Sequence, residues 1–158
     1  MWTSDYEPFS YETLESVTVR DALEVLAGYL PYFERPGFIL GAWVEAIEGP
    51  NEYVRLTPRG ERFVRDLHSY RWIREFDWTG WHDSPRAGKL QDDDDPHALD
   101  EATPEELSRL LTSCMQLDAI QEGHLIDCCE KGWLTRILRR APVLLHDLPR
   151  ERLAEAMP

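Results

Sequence analysis

Over residues 18–30 the apolar positions Val19, Leu23, Leu26 and Leu30 recur at helical spacing, which predicts a helix with one face turned to a core. Thr18 with Asp21 three residues on resembles a capping box, and Pro31, which has no N–H to give, is expected to end the helix or permit only a frayed continuation. After Pro36-Gly37, the run 38–48 with Trp43, Val44 and Ile47 reads as a strand. Gly49-Pro50-Asn51 is a turn and Tyr53-Val54-Arg55-Leu56 its partner strand, which makes a hairpin.

Thr57-Pro58 sets a cap residue before a proline suited to the first helical position, and Phe63, Val64 and Leu67 give the next helix an apolar face. Residues 76–81 read as a loop leading into one helical turn that Asp77 can cap. The stretch 83–102, with two prolines, a glycine and an acid run, is expected to be a long surface loop. Thr103-Pro104 repeats the cap-and-proline signature, with Glu106 at the third helical position and Leu107, Leu110, Leu111 and Cys114 on one face.

A further helix is predicted over 120–131, stopped by Gly132. The last main helix turns Trp133, Leu134, Ile137 and Leu138 inward and Arg136, Arg139 and Arg140 outward, with Pro142 as its stop. Residues 142–158 form a tail in which 149–157 can make a short helix. These elements describe an α+β fold, predominantly helical, in which one short β-hairpin packs with about five helices. A single domain over 1–158 suits this length, with its core within about 12–141.

Charge sharpens the picture through its distribution. The formal net charge is −13, yet eight acids fall between Asp92 and Glu106 with no Lys or Arg among them, and the rest holds 22 acids against 17 bases. Such a balance disfavours nucleic-acid backbones and anionic membranes as partners. The hairpin beside helices and the arginines Arg59, Arg62 and Arg65 allow a winged-helix reading, but it sits in an acidic chain. No run is long and apolar enough to span a membrane, and the first residues lack both a basic start and an apolar stretch. A cytoplasmic protein is the expectation, with Cys114, Cys128 and Cys129 as reduced thiols.

Candidate chemistry gathers between residues 110 and 140. Asp118, Glu122 and His124 are the candidate catalytic group, because a carboxylate beside an imidazole is a workable acid/base pair. Neighbours at i and i+2 of a regular helix do not face each other, so that pair requires an irregular turn, and otherwise Asp118 or Glu122 caps the helix. Candidate ligand-binding residues are Asp77, Trp78 and Trp81 in the densest aromatic segment, and Arg136, Arg139 and Arg140 as an anion clamp or as partners of the acid run. His124 and Cys128 are four apart, so Cys114 or His68 can complete a soft-metal set; paired CxxC spacing is absent, and the cysteines read as core. No metal or other cofactor is therefore expected, and none of the familiar nucleotide, protease or esterase signatures occurs.

Tyr29-Leu30-Pro31-Tyr32-Phe33, Trp72-Ile73 with Phe76-Asp77-Trp78 and Trp81, Leu110-Leu111-Thr112, Glu122-Gly123-His124-Leu125, Gly132 and Ile137-Leu138-Arg139-Arg140 resemble an uncharacterised bacterial family, one of the domains of unknown function. The resemblance covers residues 29–140 and implies no activity. It departs from the family pattern after Asp118, where Ala119 and Ile120 stand in place of an arginine and an aromatic residue. Two functional readings follow: a protein-interaction or regulatory module with a basic protein as partner, or an acid/base hydrolase acting on a small phosphorylated or nucleotide-like ligand.

Overall fold

A computed structural model describes residues 18–49 and 51–149. Residues 12–17 of the expected core, and the terminal helix expected over 149–157 apart from Pro149, lie outside the described residues. Helix α1 (Val19–Phe33) starts at a full capping box: Asp21 N–H donates to Thr18 Oγ1 (3.0 Å), and Asp21 Oδ2 accepts from the Thr18 amide. Pro31 does not end it. The proline sits in the last turn, where one lost hydrogen bond is offset by the buried Phe33, packed against Phe38 and Phe63 at centroid distances of 4.7 and 4.9 Å.

Strands β1 (Gly41–Glu45) and β2 (Glu52–Leu56) form an antiparallel hairpin with Trp43 opposite Val54 and Val44 opposite Tyr53. The first strand is shorter than 38–48, because Phe38 turns onto Phe33 and Ile47 stands fully exposed near the hairpin tip. Helix α2 (Pro58–Ser69) is capped by Thr57, whose Oγ1 accepts from Gly60 N–H and donates to the Leu40 carbonyl. Tyr29 O–H donates to Asp66 at 2.6 Å, tying α1 to α2, and burial together with that carboxylate pushes the phenol's pKa up.

The stretch 83–102 corrects the expected loop. After α3 (Trp78–His82) come α4 (Pro85–Leu90) and α5 (His97–Asp100), which bury Ala87, Leu90, Ala98 and Leu99, with Ala102 buried just beyond. Ser84-Pro85 is a third copy of the cap-and-proline signature, with Ser84 Oγ accepting from Ala87 N–H at 3.2 Å. The acid run between α4 and α5 is ordered by its own chain: Asp92 Oδ1 accepts from Asp94 N–H, and Asp95 Oδ1 accepts from His97 N–H.

Helices α6 (Pro104–Ile120), α7 (His124–Glu130) and α8 (Trp133–Asp147) complete the fold, making eight helices and one hairpin among the described residues. The helix expected over 120–131 is divided. Ile120 belongs to α6, Gln121 is extended, and Gly123 at φ +97° starts α7 in a conformation that L side chains rarely adopt. Pro142 lies inside α8 and does not stop it. An interior proline costs about 3 kcal/mol; beyond it Leu144, Leu145 and Leu148 pack on the core, each worth up to about 1.5–3 kcal/mol if fully buried. Helix α8 lies along α1, and the core continues through Trp72, Phe63 and the leucines of α6 and α8. Among the described residues no helix is long and apolar enough to cross a membrane.

Arg86 of α4 clasps Glu106 in the first turn of α6 through two hydrogen bonds. That guanidinium, with the Thr103 cap, holds the Glu106 carboxyl below its ordinary 4.5. A carboxylate depressed on folding stabilises fully above the unfolded pKa, and the contribution is lost as pH falls through the folded one. Glu106→Gln keeps the capping geometry and is expected to cost about 0.5–1 kcal/mol at neutral pH, since solvent screens the half-exposed arginine. The deficit should shrink once the pH drops below about 4, and urea unfolding of both proteins across the acid range measures it. A gap that stays constant with pH would show that the ion pair is not its source.

Candidate functional site

The polar joint between α6 and α7 is shaped by two carboxylates. Asp118, in the last turn of α6, accepts from Leu125 N–H at 3.0 Å and so caps the first turn of α7. Glu122 reaches the hairpin, where its Oε2 accepts from Val54 N–H at 2.8 Å. Trp43 lies directly on Gly123: a Cβ there would come within 2.5 Å of the indole, so glycine is required by both close approach and φ.

His124 opens α7 and separates two cavities. On one side a space of about 320 Å³ is lined by Trp43, Gln121, Glu122, His124, Asp127 and Glu130. Trp43 is 47% exposed as a residue. On the other side a space of about 240 Å³ runs between α6, α7 and the α3–α4 segment, past His82, Asp93, Ser113, Cys114, His124 and Cys128. His124 Nε2 and Cys128 Sγ, one helical turn apart, are separated by 3.5 Å. With Cys114 Sγ they form a group whose donor atoms all lie within 4.8 Å of one another.

The two sulfurs of this group divide the thiol chemistry. Cys114, buried at 2% exposure, donates to Cys128 and is pushed well up by that bond and by burial. Cys128 is held below the usual thiol range because Cys114 donates to its sulfur. Cys129 stands outside the group, and burial raises it to about 11.

The remaining sequence candidates are dispersed. Asp77 caps α3, accepting from Gly80 N–H and Thr79 Oγ1–H. Trp78 and Trp81 are half-buried, stacked edge-on with His82 and Phe76 at 6.3 and 6.1 Å. Arg136 pairs with Asp93 of the acid run at 3.1 Å, Arg139 with Glu34 at 2.9 Å, and Arg140 Nε–H donates to the Ala102 carbonyl. None of these six lines either cavity, so Asp77 and Arg139 do not converge with Glu122 and His124. His68 is exposed on α2, and Cys114 is the residue that completes the soft-donor group. Trp43 and His82 were not singled out by spacing, because the residues they meet in the cavities lie on other elements, and Asp127 and Glu130 read as solvent-facing positions of their helix.

Residues 18–147 match a family of unknown function, DUF6508. The chain belongs to that family. The DUF6508 region runs from the cap of α1 to the last residue of α8, and contains both cavities. At the two positions where the chain departs from the expected pattern, Ala119 and Ile120 are exposed at the end of α6, Ile120 at 74%. Neither the curated proteins nor the solved structures yield a match.

Proposed function

We propose that this DUF6508 domain is a protein-interaction module that takes a basic side chain of a partner into the cavity walled by Trp43. The observation that carries this reading is the pairing of a half-exposed indole with the carboxylates of Glu122, Asp127 and Glu130 in one concave site. Lys131 neutralises part of Asp127, at 2.9 Å, and among the described residues no Arg or Lys lines the cavity. An indole face with flanking carboxylates suits a guanidinium or ammonium, worth about 0.5–2 kcal/mol for the ring contact. The exposed acids of the run at 92–95 add a field that steers a basic surface toward the domain.

The same carboxylates repel a phosphate, and Arg139 and Arg140 are engaged elsewhere. A phosphorylated ligand for an acid/base pair of Glu122 and His124 therefore lacks the Arg139 and Arg140 clamp. Titration of the full chain with an arginine-rich peptide, followed by calorimetry, tests the interaction reading. Binding should weaken with added salt, and Trp43→Ala should weaken it about tenfold. Equal affinity for the wild type and Trp43→Ala, or no binding even at low salt, would refute this cavity as the docking point.

A further inference from the structure

The second cavity carries a different chemistry. We propose that Cys114, His124 and Cys128 form a binding site for a soft divalent metal ion of the zinc class, with a fourth coordination position open to the cavity. This does not depend on the basic-partner reading, although His124 borders both spaces.

The distances fit the ion. Tetrahedral zinc, with bonds of about 2.3 Å to sulfur and 2.0–2.1 Å to nitrogen, separates its ligand atoms by roughly 3.5–3.8 Å. His124 Nε2 and Cys128 Sγ are already 3.5 Å apart, and no pair in the group exceeds 4.8 Å. Closing around an ion needs movements of about an ångström, within the reach of side-chain torsions.

The scaffold holds the donors in place. His124 and Cys128 share one face of α7, Cys114 projects from α6, and Asp118 with Glu122 fixes the joint between these helices. Two thiolates and an imidazole favour zinc-like ions over magnesium or calcium, which take oxygen ligands. On binding, each thiol gives its proton to solvent, and His124 offers the Nε2 lone pair.

An independent observation points to a missing group in the same space. Ser113, 3% exposed, and His82 both line this cavity, and Ser113 Oγ and His82 Nδ1 are buried without a hydrogen-bond partner. A buried polar atom left unpaired costs about 1–3 kcal/mol, and such atoms commonly mark an ion or water. A metal-bound water in the open fourth position supplies a polar group to the space that these atoms line. Three protein ligands with an open position is the pattern of a reactive or regulatory metal site, as opposed to a closed structural one.

Titration of the reduced, chelator-stripped full chain with Co²⁺ examines the site, read by the visible bands of a tetrahedral ion and by thiolate-to-metal charge transfer. The expected result is one ion per chain, displaced by Zn²⁺, with charge-transfer intensity for two thiolates. Cys128→Ser and His124→Ala should each weaken binding roughly a hundredfold, while Cys129→Ser leaves it unchanged. Circular dichroism checks that each variant folds. Where one does not, the wild-type charge-transfer intensity decides, with two thiolates supporting the site and one or none overturning it. Absence of the band, affinity indifferent to both ligand substitutions, or a Cys114–Cys128 disulfide that reductant cannot open also overturns it.

Discussion

Trp72→Ala is expected to cost about 3–5 kcal/mol, a large share of the roughly 5–15 kcal/mol by which an ordinary domain is stable. The indole is fully buried and is among the largest side chains of the core. Its Nε1–H donates to the Ala22 carbonyl of α1 at 2.9 Å. Its own carbonyl accepts from Ser108 Oγ at 2.8 Å and Thr112 Oγ1 at 3.2 Å on α6. One residue outside any helix therefore joins two helices by packing and by hydrogen bonds. Alanine keeps the carbonyl contacts, empties the ring volume and removes the indole bond to Ala22 O, which retains its helical donor within α1. Trp72→Phe retains most of the apolar volume and should cost about 0.5–1.5 kcal/mol, the net worth of one hydrogen bond. Urea unfolding ranks the two, and a loss on the order of 1 kcal/mol or less for Trp72→Ala would contradict this role.

Gly60→Ala is expected to destabilise by about 1–3 kcal/mol, although alanine in a helix ordinarily gains up to about 1 kcal/mol over glycine. A Cβ at residue 60 would fall 2.2 Å from the Leu40 carbonyl oxygen. That oxygen cannot retreat freely, because it accepts from the Thr57 amide and hydroxyl, both at 3.0 Å. The contact that caps α2 and seats the hairpin on it thus closes over the glycine. Gly88, in α4, has nothing within 4 Å of a built Cβ, so Gly88→Ala should be neutral or stabilising. Opposite signs at the two glycines, measured by thermal and urea unfolding, are the outcome expected. A stabilising Gly60→Ala would show that the hairpin does not rest on α2 as described.

The helices were largely legible because their evidence is local. Capping residues followed by proline at Thr57 and Thr103, and apolar spacing through α1, α2, α6 and α8, act within a few residues of one another. Ser84-Pro85 carried the same signature, but the neighbouring acids and prolines outweighed it and the stretch read as loop. Pro31 and Pro142 were read by the hydrogen bond each removes. The compensating burial of Phe33 and of Leu144, Leu145 and Leu148 depends on which helices lie alongside, and local pattern does not contain it.

The candidate site divides along the same line. Helical spacing alone placed His124 and Cys128 on one face, and of the two carboxylates read as caps Asp118 caps α7 while Glu122 binds an edge of the hairpin. Of the three arginines on α8 Arg139 is exposed, whereas Arg136 and Arg140 are partly buried, Arg136 against Asp93 of the acid run and Arg140 on the Ala102 carbonyl.

The amino-acid sequence by itself determined the helical character, the hairpin, the concentrated negative charge and the partition of α6 to α8 into core and polar faces, because each arises from neighbours in the chain. Only the tertiary structure decided that Cys114 completes the His124 and Cys128 set, that Trp43 and not Trp78 or Trp81 presents its ring to a cavity, and that Arg139 pairs with Glu34. Those pairings join residues distant along the chain, and their partners are selected by how the helices pack to bury Trp72 and the leucine core.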